Sequence, residues 1–296
     1  MPRLVLKVDV DTLRGTREGV PRLLRLLEEE DAAATFLFSL GPDHTGWALR
    51  RIFRRGFLAK AKRTSVLRHY GLRTLLNGVL LPAPDIGLQM AGVMKAVQGT
   101  QHEAGIHTWD HVLWQDNVRR RDQEWTRAQM ERAYDRFVDI FGRTPSTHGA
   151  AGWQTNAAAL RQIDAWGMRY ASDGRGSGPF VPQIDADTIG QHVQLPTTLP
   201  TLDELIGADG IDEGNVAAAV LARTEVRTDH VFTLHAELEG GRLASVLKAL
   251  LRGWRSQGYQ FSTLGGLFET LDRTALPIRP LRWDSVPGRS GELCVA

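Results

Sequence analysis

Residues 4–10 read Leu-Val-Leu-Lys-Val-Asp-Val, an apolar run broken only by Lys7 and Asp9. A strand half-exposed to water alternates polar and apolar residues, whereas one covered on both faces is apolar nearly throughout. This run therefore predicts a central strand of a parallel sheet. Such a sheet needs crossover helices, and the chain supplies them in alternation. A helix is expected over residues 17–30, with Leu23, Leu24, Leu26 and Leu27 on its apolar side, and a strand over 33–39. Further on, helices are expected over 86–98, 126–141, 156–166, 216–223 and 242–257. Strands are expected over 103–107, 145–149, 168–172, 191–195, 230–235 and 259–262, with a closing helix after the last. Residues 1–274 are predicted to form one α/β domain, and residues 275–296 an irregular tail.

Chemistry-bearing residues fall at the ends of these strands. His107 and His111 stand four apart, the spacing of one helical turn, so both imidazoles can serve one divalent ion. Asp9 and Asp11 close the first strand, and either could add an oxygen ligand. Each piece alone has a plain reading, as surface histidines or as a strand running into a turn. Together, with Asp173 and His235 also at strand ends, they predict one pocket at the C-terminal face of a barrel.

Hydrophobic residues make up 42% and charged residues 24%, which excludes wholesale disorder. The one cysteine, Cys294, excludes a disulfide framework and a cysteine-based zinc site. No secretory signal or membrane span is visible, so an intracellular protein is expected. The net charge of +2 hides an asymmetry. Residues 44–84 hold Arg50, Arg51, Arg54, Arg55, Lys60, Lys62, Arg63, Arg68 and Arg73 and no acid, interleaved with Trp47, Phe53 and Phe57. The segment reads as a basic helical insertion, either packed on the domain with a solvated cationic face or lying on an anionic membrane surface. No nucleic-acid motif accompanies the charge.

Asp9-Val10-Asp11, His107-Thr108-Trp109-Asp110-His111 and Thr233-Leu234-His235 resemble the first, second and last motifs of the polysaccharide deacetylase (NodB-like) family. The resemblance implies a distorted (β/α) barrel and a metal-dependent amide hydrolase. The stretches 8–21, 150–153, 172–176, 199–207 and 235–240 resemble one branch of it, the deformylases of a 4-deoxy-4-formamido-L-arabinose carried on undecaprenyl phosphate. That branch implies a role in lipid A modification and polymyxin resistance. It also implies a peripheral position on the cytoplasmic face of the inner membrane.

Carried over, Asp11, His107 and His111 would be the metal ligands, Asp9 the general base and His235 the general acid. The ion would be zinc, cobalt or manganese, with iron also compatible. Ala151, Trp153 and Arg175 would support or bind substrate; Asp173 and Glu237 could tune His235 or bind the sugar, or equally be salt-bridged framework acids. Two departures stand out. Val10 separates Asp9 from Asp11, where the family has adjacent acids, and period two puts both on one side of the strand. The family's third-motif Arg is missing from residues 146–153, and Arg175 is expected to supply that charge. A deacetylase of another N-acylated sugar is the nearest alternative. A phosphatase with an aspartyl nucleophile, a glycosyltransferase and an inactive lipid-surface adaptor each leave part of this residue set unused.

Overall fold

A computed structural model describes residues 1–47 and 76–296. Most of the basic segment, including every Lys and Arg named in it, lies outside the described residues.

Strand β1 (Arg3–Val10) is the axis of the molecule. One edge pairs in parallel with β7 (His230–His235) over residues 4–9. The other edge is shared, by β8 (Gln260–Ser262) near its start and by β2 (Thr35–Ser39) near its end. Beyond β2 lies β3 (Glu103–Thr108), giving the order β3-β2-β1-β7. The other half of the wall is thinner. Ile106 donates to the Thr147 carbonyl and Gly149 to that of Ile106; Ser172 then donates to His148 and Leu195 to Ala171. Thr198 donates to Val231 of β7, which closes the ring. Strands β4 (Tyr170–Ala171) and β6 (Val193–Gln194) are all that remains regular on that side. The expected distorted barrel is thus a sheet on one half and single backbone bonds on the other.

Alternation along β1 sorts its residues. Leu4, Leu6, Val8 and Val10 pack outward under the helices, within one large core. Val5 points inward, where Tyr170, Val193, Leu195 and Val231 meet Leu264, Leu267 and Phe268 of the last helix. Each such side chain, fully buried, stabilises the fold by about 1.5–3 kcal/mol. Above this apolar floor the same inward face carries Lys7 and Asp9, so the barrel is dry below and polar above.

One expectation is corrected. The stretch from Ala275 is not irregular: β9 (Ile278–Pro280) pairs with β5 (Val181–Gln183), and β10 (Arg282–Ser285) pairs with β11 (Glu292–Val295). Strands β9 and β10 are short with exposed or half-buried side chains and no apolar run, and β11 offers only the brief run Leu293-Cys294-Val295. Cys294 of β11 is buried, and burial pushes its thiol up to about 11, which leaves it an inert packing group. The strand expected over 103–107 is present as β3, so the four-residue spacing of His107 and His111 spans a strand-to-helix turn. His107 ends a strand, and His111 begins the helix His111–Asn117, whose N-cap Asp110 accepts from Leu113 N–H.

Candidate metal centre and active site

One ligand atom from each of Asp11, His107 and His111 lies within 4.8 Å of the others, among the described residues. Asp11 follows β1 directly, and His107 sits two strands away on β3. The Asp110 cap turns the chain so that His111 faces back. His107 Nδ1 donates to the Gly149 carbonyl at 2.6 Å, which leaves Nε2 as the ligating nitrogen. That Nε2 is 3.2 Å from Asp11 Oδ1, and His111 Nε2 is 3.5 Å from Asp11 Oδ2. Neither His107 Nε2 nor Asp11 Oδ1 has an aligned hydrogen-bond partner, although both are buried. Burial works against the charge of Asp11, but His111, His107 and His235 outweigh it and hold the carboxyl well below the usual range. Converging buried acceptors without donors fit a divalent cation, and two imidazoles with one carboxylate suit zinc, iron, cobalt or manganese.

Asp9 stands beside this group, its Oδ1 3.9 Å from His107 Nδ1 and also without a hydrogen-bond partner. Its other oxygen, Oδ2, lies 3.1 Å from Lys7 Nζ. His235 closes β7 across from Asp9, with which it is in register. Burial disfavours the imidazolium, yet the nearby charges of Asp203, Asp11 and Glu239 win, and the His235 pKa is raised. Glu239 accepts from the His235 backbone N–H at 2.7 Å, and burial pushes its carboxyl up to about 7.

Glu237 lies behind the centre. Its Oε1 accepts from the backbone N–H groups of Asp11 and Thr12 and from the Thr12 hydroxyl. Burial and the Asp11 charge push its carboxyl up to about 8, against the pull of that hydroxyl. It braces the turn that carries Asp11.

Asp173 is similarly committed. His148 Nδ1 and the Ala150 N–H both meet its Oδ1, while the Gln194 amide donates to Oδ2. Burial raises its pKa, but His148 and Gln194 bring it below the usual value. It thereby fixes the loop 149–153, where Gly152 and Trp153 take the left-handed conformation (φ 62° and 54°). A Cβ at residue 152 would collide with the Gln115 amide, so this turn requires glycine. Ala151 is fully buried in it. The Trp153 ring is edge-on to His235 at 6.5 Å, with Arg175 and Arg289 over it at 4.9 and 4.6 Å.

Four neighbours escaped the sequence reading as site residues: Lys7, Asp203, Glu204 and Arg289. A lysine inside an apolar strand was a visible signal for the first. Asp203 and Glu204 sit in a capping box, Thr201 to Glu204, that reads as ordinary helix chemistry. Arg289 comes from the tail and carries no local sign at all.

The polysaccharide deacetylase family model matches residues 4–171. The chain belongs to that family. It is 34% identical over 290 residues to a probable 4-deoxy-4-formamido-L-arabinose-phosphoundecaprenol deformylase of Shewanella sediminis, covering 97% of this chain and 92% of that one. Among solved structures, a putative polysaccharide deacetylase from Mycobacterium smegmatis superposes with a TM-score of 0.62 at 14% identity, covering 97% and 96% of the two chains. A family 4 acetyl xylan esterase from Clostridium thermocellum, solved with a cobalt ion, gives 0.53 at 16% identity and covers 93% and 97%. At these identities the structural matches speak to fold.

Membership in the polysaccharide deacetylase family sharpens the two departures in the motifs. Val10 points into the outer core while Asp9 and Asp11 reach the same imidazole from one side of the strand. Arg175 is engaged by groups other than Asp9. Its guanidinium donates to Glu204 at 2.7 Å and to the Leu199 carbonyl. The cation on Asp9 is Lys7.

Proposed function

We propose that this polysaccharide deacetylase removes the formyl group from 4-deoxy-4-formamido-L-arabinose linked to undecaprenyl phosphate, giving the free amino sugar lipid and formate. The observation that carries this reading is the near full-length relationship to the Shewanella sediminis protein, on a chain where Asp9, Asp11, His107, His111 and His235 converge.

Asp11, His107 and His111 would hold a divalent ion. When bound, such an ion supplies Lewis acidity, lowering the pKa of water toward neutrality and polarising the acyl oxygen. Asp9, through its unpartnered Oδ1, takes a proton as the water oxygen bonds to the formyl carbon. The negative charge that develops on the acyl oxygen faces the turn at residues 150–152. Ala150 N–H is already given to Asp173, which leaves the amides of Ala151 and Gly152 as the backbone donors there. As the C–N bond breaks, His235 delivers a proton to the departing nitrogen; the nearby charges of Asp203, Asp11 and Glu239 favour its protonated form against burial. Formate and an amine are the products, with one water consumed.

The test is formate release from the formamido lipid, measured with and without a chelator and compared with the acetamido analogue. Chelator-sensitive release from the formamide alone is expected. Equal turnover of both substrates moves the reading to a general N-acyl sugar deacetylase.

The lipid tail of such a substrate stays in the bilayer, so the enzyme must meet the cytoplasmic membrane surface. No described helix is long and apolar enough to cross a membrane. Surface docking is supported by the nine cations of residues 44–84, each worth about 1 kcal/mol if close to anionic lipid. It is supported as well by an apolar turn at the end of that segment, where Val79, Leu80 and Leu81 are 43%, 76% and 40% exposed. Asp43 ties this turn to the centre by accepting from Asn77 and from the Leu13 N–H. Trp47 is half-buried beside this turn, its ring stacked on His44 at 3.8 Å and its N–H donating to the Gly78 carbonyl. In liposome flotation, binding should need anionic lipid, weaken with salt, and fall when Arg50, Arg51, Arg54 and Arg55 become Gln. Binding unchanged in that variant would remove the segment from this role.

A further inference from the structure

Lys7 occupies the inward face of β1 and has no exposed surface. An ammonium group taken out of water is strongly unfavourable unless it is paired, and a barrel that only needed filling would carry an aliphatic residue here. Its Nζ is 3.1 Å from Asp9 Oδ2 and 5.3 Å from the centre of the Trp153 ring. Its stem is held as well. A Cβ on Gly149 would come within 3.1 Å of Lys7 Cε, so the absence of a side chain at that position makes room for it. The same Gly149 carbonyl orients His107. The two oxygens of Asp9 therefore differ: Oδ2 is engaged, and Oδ1 is unpartnered on the side of His107.

We infer that Lys7 is the positioning residue of Asp9, its ammonium holding Oδ2 so that Oδ1 alone is presented to the attacking water. This rests on the reading of Asp9 as the base. A free carboxylate can rotate about χ2 and offer either oxygen; one held by a buried ammonium cannot. Arginine is the other side chain able to bring a cation this far along a strand, although its planar fork requires more space.

The experiment uses the cobalt-loaded full chain with two substrates, the formamido lipid and p-nitrophenyl acetate. Lys7→Met should keep its cobalt with an unchanged visible spectrum, while kcat falls about 10²–10³-fold and KM moves little. Lys7→Arg should recover most of the rate. In an Asp9→Asn background Lys7→Met should cost nothing further, because the oxygen it positions has lost its function. Should Lys7→Met fail to fold, Lys7→Gln carries the same comparisons. Wild-type kcat in the folded variant, loss of cobalt, or an equal additional loss on top of Asp9→Asn would each overturn the assignment. If the wild type cleaves the ester but not the formamide, the substrate reading falls while Lys7 is still decided on the ester. If it cleaves neither, both fall.

Discussion

Replacing His107 or His111 by Ala should reduce bound metal and formate release together to background. Three donors are the minimum that holds a catalytic divalent ion while leaving a position open for water, and each substitution leaves two. The two variants are expected to differ in stability. His107 is buried and its ring donates to Gly149, so His107→Ala leaves an unsatisfied carbonyl and should lose about 1–3 kcal/mol. His111 lies at a helix start with its side chain 16% exposed, and its loss should be milder. Metal content by mass spectrometry, read beside a thermal unfolding curve, separates loss of the ion from loss of the fold. Full metal occupancy in both folded variants would remove these histidines from the centre.

Asp9→Asn should do the opposite, retaining the ion while the rate falls about 10²–10⁴-fold, because it removes a proton acceptor at nearly constant shape. The introduced amide also presents a donor that the Lys7 ammonium cannot accept from, so the new side chain should turn its carbonyl oxygen toward Lys7, and activity should not return at any pH. His235→Ala should produce a loss of the same order, with metal unchanged. It should be smallest on substrates whose leaving group needs no proton, such as a nitrophenyl ester. If Asp9→Asn loses the ion, Asp9 is itself a ligand and the division of labour between the two acids is wrong.

Residues whose surroundings are local were legible in the sequence. Strands β1, β2 and β7 carry apolar runs because both faces are covered, and that pattern needs no knowledge of partners. The convergence of Asp9, Asp11, His107 and His235 followed from one rule about strand ends. What stayed hidden depends on distant chain. The strand end at His107 was legible, but not the helix His111–Asn117 that begins at the second ligand, capped by Asp110. Asp173 is held by His148, Gln194 and the Ala150 N–H, and one oxygen of Glu237 by the Asp11 turn, contacts that no spacing can foresee. The tail strands pair with each other and with β5, and the end of β11 is tied to distant chain at Arg175, whose N–H donates to the Cys294 carbonyl and whose carbonyl accepts from the Ala296 N–H.

The position of β1 has a consequence for how the protein is made. This strand leaves the ribosome long before β7, yet one of its edges is closed only by residues 230–235. At a translation rate of about 5–20 residues per second, that edge waits on the order of 10–40 s. Through that interval a largely apolar strand, already able to pair with β2 on its other edge, offers unpaired backbone groups to any passing chain. Cotranslational protection of this edge, or slower and cooler expression, should therefore govern the yield of soluble protein more than any feature of the finished fold.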